Sequence, residues 1–197
     1  MKRFVIALAA FSLFSVAALA ADEEPARKAP EFSFTIPGQG QKLLSQYRGK
    51  VVALEFIFTT CPHCQAASRT MTKLQQDYGA RGLQVLDVAV NPNADLLVEN
   101  FAKDFQVGFP VGWSTAAKMT SFMGFSDGRF VVPQLALIDR DGTIRYQTPA
   151  LEDERWDKLM KEDALRAHIE ELLSSNGAST GHPHATATRA VSSKKGS

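Results

Sequence analysis

The chain predicts an α/β domain, a central mixed β-sheet flanked by helices, on three observations. Residues 51–58 (VVALEFIF) are apolar on both alternating faces except at Glu55, and residues 83–90 (LQVLDVAV) read as a second buried strand. Strands buried on both sides belong in the middle of a sheet, under helices. Apolar residues recur at helical spacing between and after these runs. Residues 135–147 (LALIDRDGTIRYQ) read as a buried strand, a two-residue turn at Asp141-Gly142 and an amphipathic strand.

Taken in order, residues 31–36 (EFSFTI) alternate and stop at Pro37-Gly38, a short strand and its turn. Lys42 to Tyr47 reads as a helical turn. After the first buried strand, Pro62 to about Tyr78 reads as a helix stopped by Gly79 and Gly82; Pro62 suits the first helical position, where its missing N–H costs nothing. The second buried strand ends at Asn91-Pro92, and Asp95 caps a helix to about Phe105 with Leu97, Val98, Phe101 and Phe105 on one side. Phe109–Trp113 reads as a short strand, and Ser114 caps a helix to Phe122. Trp156, Leu159, Met160, Leu165, Ile169, Leu172 and Leu173 place a covering helix over residues 153–175.

The ends have a different character. Lys2 and Arg3, an apolar run from Phe4 to Leu19 and the small-residue Ala18-Leu19-Ala20 are the layout of a secretory signal peptide over residues 1–20, cleaved near Ala20. The alternative for the same run is an uncleaved membrane anchor. Either places the domain, residues 21–176, outside the cytoplasm, in the periplasm or its equivalent. Residues 177–197 lack an apolar period and read as a disordered tail, in which His182 and His184 are incidental. Without Lys2, Arg3 and the tail's Arg189, Lys194 and Lys195, the formal charge of +1 becomes −4 over residues 21–176. No basic cluster suggests a nucleic-acid partner.

The chain has two cysteines, Cys61 and Cys64, within FIFTTCPHCQAASRTM. A bridge across two intervening residues closes almost no loop and constrains the unfolded chain little, so stability is a poor reason for it. Chemistry is a better one. A C-x-x-C at the junction of a buried strand and a helix is the redox arrangement of the thioredoxin fold. Backbone N–H groups and the helix dipole favour a thiolate at Cys61. Cys64, one turn on, can reach Cys61 and resolve a mixed disulfide. A zinc site would need about four ligands, and no second Cys/His pair accompanies this one inside the domain.

Beyond the tetrad, the stretch from Glu31 to about Ile144 resembles the TlpA/ResA-like thiol–disulfide oxidoreductases, exported relatives of thioredoxin. The resemblance lies in the ordered set FSFTIPGQGQKLLSQYRGKVVALEFIF, CPHC, VGFPV and VVPQLALIDRDGTI. It implies a thioredoxin-like fold with an N-terminal β extension and a helical insertion before the cis-proline strand. It makes Cys61 the exposed nucleophile, Cys64 the buried resolving cysteine and Pro133 the cis-proline beside them, with Val132 in the substrate groove. X–Pro bonds are mostly trans, so the cis expectation rests on the resemblance. No cofactor or metal is implied beyond the redox-active Cys61–Cys64 disulfide. The partners implied are exported cysteine-containing proteins as substrates and a membrane thiol carrier or oxidase for recycling.

Thr60 departs from the family, which has Trp before the first cysteine and lines the groove with it. The C-P-H-C tetrad is that of DsbA, a periplasmic disulfide donor, and a charged His63 would stabilise the Cys61 thiolate and make the disulfide more oxidising. The 72 residues from Cys61 to Pro133 leave no room for DsbA's large helical insertion beside the strands already assigned. The scaffold therefore points to a reductant, as in cytochrome c maturation, and the tetrad to an oxidant or isomerase. Glu55 lies six residues before Cys61, where thioredoxins carry a buried acid. An uncompensated buried carboxylate is costly, so Glu55 is expected either to exchange a proton with Cys64 or to pair with a lysine or reach solvent.

Two other functions compete. FTTCPHC resembles the motif of Sco-type copper-assembly proteins, but their cysteines are three residues apart and a distant loop histidine completes the site. Here no histidine lies between His63 and His168, and His168 reads as a surface residue. A peroxidatic cysteine would want Pro and Thr where Leu54 and Phe58 stand. Trp113 and Trp156 read as core.

Overall fold

The two apolar runs lie side by side at the centre of one sheet in the computed structural model, which describes residues 26–175. The strands are β1 (Arg27–Lys28), β2 (Ser33–Ile36), β3 (Gly40–Leu43), β4 (Val51–Ile57), β5 (Leu83–Ala89), β6 (Val111–Trp113), β7 (Gln134–Ile138) and β8 (Thr143–Gln147). The helices are α1 (Pro62–Tyr78), α2 (Ala94–Asp104), α3 (Ala116–Met123), α4 (Glu154–Leu159) and α5 (Glu162–Ser174). Across the sheet the order is β1-β8-β7-β4-β5-β6-β2-β3. β4 runs parallel to β5 and antiparallel to β7, which makes the sheet mixed, as expected. The predicted leader, the tail and the outer bounds of the domain fall outside the described residues.

Alternation along β4 divides the core in two. Val52, Leu54 and Phe56 meet Leu86, Val88, Met119, Phe122 and Met123 on one side. Phe32 joins them with its ring 5.2 Å from those of both Phe56 and Phe122. Val51 and Ala53 face Met71, Leu74, Leu165 and Ile169 on the other side, and Ile57 faces Cys64, Val98 and Phe101. In α1 the buried residues Cys64, Ser68, Met71, Leu74 and Tyr78 fall three or four apart, so one stripe lies against the sheet.

Several local expectations are corrected. The helical turn expected over Lys42–Tyr47 forms as a 3-10 turn at Leu44–Tyr47, while Lys42 and Leu43 belong to strand β3, because β2 takes an edge partner in which Ser33 pairs with Leu43. The short strand begins at Val111. Asn93, with φ 57°, precedes α2, and Asp95 sits inside its first turn. α3 is capped by Thr115, whose Oγ1 accepts from Lys118 N at 3.2 Å, while Ser114 Oγ donates to the Ser33 carbonyl. The β7–β8 turn spans Asp139 to Gly142, where Gly142 N donates to Asp139 O and only Gly142, at φ 80°, is left-handed. Arg140 and Asp141 are thus its central pair, the three-residue hairpin arrangement. The covering helix is two helices, because Lys161 is extended (φ −71°, ψ 138°) while Leu159 and Leu165 keep to one core.

Candidate active site

Everything around the cysteines hangs on the end of β4. The chain turns at Phe58–Cys61, with Cys61 N donating to Phe58 O at 3.0 Å. Asn91, just past β5, holds that turn by accepting from Thr59 N at 3.0 Å, and Gln65 Nε2 donates to Thr59 O at 3.2 Å. Cys61 is the residue before the first turn of α1, extended at φ −84° and ψ 120°, and Pro62 occupies the first helical position. Cys61 is half-buried and Cys64 fully buried; both are free thiols. Thr60, Pro62 and His63 are exposed around them.

The facing wall is the loop before β7. The Val132–Pro133 peptide bond is cis. Cys61 Sγ lies 3.9 Å from the Val132 carbonyl, and Val132, like Cys61, Trp113 and Phe105, packs against the edge of the buried cluster that holds Ile57 and Cys64. A buried polar network fixes this loop from behind. Gln134 Nε2 donates to the carbonyls of Val131, Pro149 and Ala150 at 3.0, 3.1 and 3.2 Å. Thr148 Oγ1 donates to Gln134 Oε1 and accepts from Leu135 N. Trp156 is a correction: its indole Nε1 donates to the Pro133 carbonyl at 3.2 Å, so it braces the loop and is only half-buried.

Under the cysteines lie two buried acids, of which the sequence alone marks Glu55. Glu55 is wholly buried, and neither of its carboxylate oxygens has a hydrogen-bond partner among the described residues. Its neighbour across the parallel ladder is Asp87, also wholly buried. The lysine pairing or solvent exit considered for Glu55 is not what the structure holds. Ser68, one helical turn past Cys64, donates to Asp87 Oδ2 at 2.6 Å, and Asp87 Oδ1 has no partner among the described residues. Burial, then the Asp87 charge and a proton the two carboxyls are close enough to share, push the Glu55 carboxyl well above its ordinary range. Burial raises Asp87 too, opposed by the Ser68 hydroxyl and by a proton shared from Glu55. Burial pushes the Cys64 thiol far up, with the Phe58 backbone opposing and Cys61 and Glu55 adding to the rise. Asp87 could have been noticed as the one charge in an otherwise buried run, but strand alternation alone could not say that it faces Glu55.

His168 is half-buried with its ring centroid 3.9 Å from that of Tyr146, not a free surface residue. Among the described residues no group of three or more His, Cys, Asp or Glu is placed to hold a metal ion.

A cysteine pair at a strand–helix junction of this sheet, facing a cis-proline loop, defines a thioredoxin-fold thiol–disulfide oxidoreductase. The model of the Redoxin family matches residues 24–165, and the chain belongs to that family. It is 30% identical over 144 residues to a thiol-disulfide oxidoreductase ResA of Geobacillus thermodenitrificans, covering 73% of this chain and 75% of that one. A ResA of Bacillus thuringiensis subsp. konkukian is 29% identical over 122 residues, 61% of this chain and 67% of its own. The fold matches a thiol:disulfide interchange protein of Chlorobium tepidum with a TM-score of 0.61 at 23% identity, over 78% of this chain and 99% of that one. The expected TlpA/ResA-like family, fold and disulfide oxidoreductase activity are thereby established.

Proposed function

We propose that the protein reduces disulfides of extracytoplasmic proteins through Cys61 and Cys64. Cys61 thiolate attacks a substrate disulfide, forming a Cys61–substrate S–S bond and releasing one substrate thiolate. Cys64 gives up its proton and attacks Cys61 Sγ; the Cys61–Cys64 bond forms and the second substrate sulfur leaves as thiolate. The substrate gains two electrons, and a membrane thiol carrier restores the dithiol. Glu55 accepts the Cys64 proton, Val132 and Pro133 present backbone to the substrate, and Thr60 lines the groove.

The observation behind the direction is Cys64, sealed beside a buried acid. A thiol pushed up by burial is a poor leaving group, which handicaps a disulfide donor, whose Cys64 must depart as thiolate. Once deprotonated, the same sulfur is a strong nucleophile, which suits a reductant. His63, exposed beside Cys61, favours the opposite reading as an oxidant or isomerase. The apolar run at residues 4–19 supports export. Neither the Sco-type nor the peroxidase reading has comparable support.

Expression of Cys64→Ala in the cell of origin tests the substrate class, because that variant cannot resolve its mixed disulfides. Exported proteins bound through Cys61 are the expected catch. Only cytoplasmic proteins, or none, would overturn the reading.

A further inference from the structure

Three oxygen atoms in the core have no donor among the described residues, and all three belong to one place: Glu55 Oε1, Glu55 Oε2 and Asp87 Oδ1. Buried acceptors left in that state are costly, and two adjacent buried carboxylates cannot both stay charged. One proton shared between Glu55 and Asp87 Oδ1 removes most of the cost, and Ser68 already occupies Asp87 Oδ2. The pair then carries a single negative charge and has room for one more proton. Cys64 and Ser68 are four residues apart on the buried stripe of α1, so the donor thiol and the clamp sit on one helix face above the pair. Among the described residues no third charged group acts on Glu55 and Asp87. β7 opposes Glu55 with Leu135, β6 opposes Asp87 with Val111, and α2, α4 and α5 bring Val98, Phe101, Leu159, Leu165 and Ile169 to that side. From α1, Cys64 and, beyond it, Cys61 are the titratable groups nearest the pair, with Tyr78 further along the same buried stripe.

We propose that Asp87, held by Ser68, is a positioning residue that joins Glu55 in one proton-holding unit serving Cys64. When Cys64 attacks the mixed disulfide, its S–H bond breaks and the pair goes from one proton to two. When the thiol carrier reduces the Cys61–Cys64 bond, the proton returns to Cys64. The inference rests on the redox reading above and adds the residues that set when Glu55 can act.

The test uses 5,5′-dithiobis(2-nitrobenzoate) with the reduced full-length protein. Attack by Cys61 releases one thionitrobenzoate and attack by Cys64 releases a second, so the second phase isolates resolution. Asp87→Asn leaves Glu55 without the partner that shares the proton of the singly charged pair and should shift the pH midpoint of that phase upward by about one unit or more. Ser68→Ala removes a bond that favours ionised Asp87 and should shift it upward. The Ser68→Ala shift keeps the proposal testable should Asp87→Asn fail to fold. A second phase with the wild-type pH profile in Ser68→Ala, or in a folded Asp87→Asn, while Glu55→Gln alters it, would assign proton transfer to Glu55 alone and overturn this inference but not the redox reading. No second release from wild-type protein at any pH would overturn the redox reading itself.

Discussion

Two acid pairs in this molecule invite comparison: Glu55 with Asp87 under the cysteines, and Asp139 with Asp141 in the turn between β7 and β8. Both place carboxyls close enough to share a hydrogen bond. In the turn, water and cations resolve the conflict. Lys28 Nζ lies 3.2 Å from Asp141, Arg145 lies 3.7 Å from Asp139, and Thr143 donates to both acids. Asp141 is held below the usual carboxylate range by its bonds to Asp139 and Thr143, and burial raises Asp139. In the core, among the described residues, no cation is supplied, Ser68 is the one donor, and both groups rise. The same residue types make a turn in one setting and a proton store in the other. The deciding term is desolvation.

The largest expected effect comes from disconnecting the core pair from its chemistry. Cys61→Ala should abolish turnover of a protein disulfide and leave Glu55 and Asp87 idle; retained turnover would mean that neither cysteine nor pair is the site. Next is the pH dependence of stability. Above its ordinary value of 4.5, Glu55 holds a proton that the unfolded chain has released. Stability should therefore fall as pH rises from there toward the raised native value, by up to about 1.4 kcal/mol per pH unit per proton. Denaturant midpoints of Glu55→Gln should lose that slope; an unchanged slope would show that Glu55 is ionised in the native core. Thr148→Val strands Leu135 N and Gln134 Oε1 and should cost about 1–3 kcal/mol, read in the same unfolding curves. The smallest effect is at the turn, where Asp141→Asn should change stability by about 0.5 kcal/mol or less, because Lys28 and Asp141 are mostly exposed. A larger loss there would erase the contrast between the pairs.

How far these features were legible follows the range of the forces involved. β4, β5 and α1 are written locally, as two-sided apolar runs and a Pro62-started stripe, and they appear nearly where expected. Trp156 was misjudged because its partner, the Pro133 carbonyl, is 23 residues away. The split at Lys161 escaped because apolar period persists through it. Asp87 escaped for a sharper reason. Its meaning depends on which residue of β4 it meets, and register between parallel strands joined by a helix is a tertiary fact. The Val132–Pro133 isomer was reached through resemblance, since X–Pro bonds by themselves favour trans.

Equilibrating the purified protein against glutathione redox buffers and scoring the Cys61–Cys64 bond would decide most at once. We expect a single two-electron transition closer to thioredoxin, about −270 mV, than to DsbA, about −120 mV. A midpoint at the DsbA end would reverse the direction of electron flow proposed here. Two thiols that never bond across that whole interval would end the case for exchange at this site.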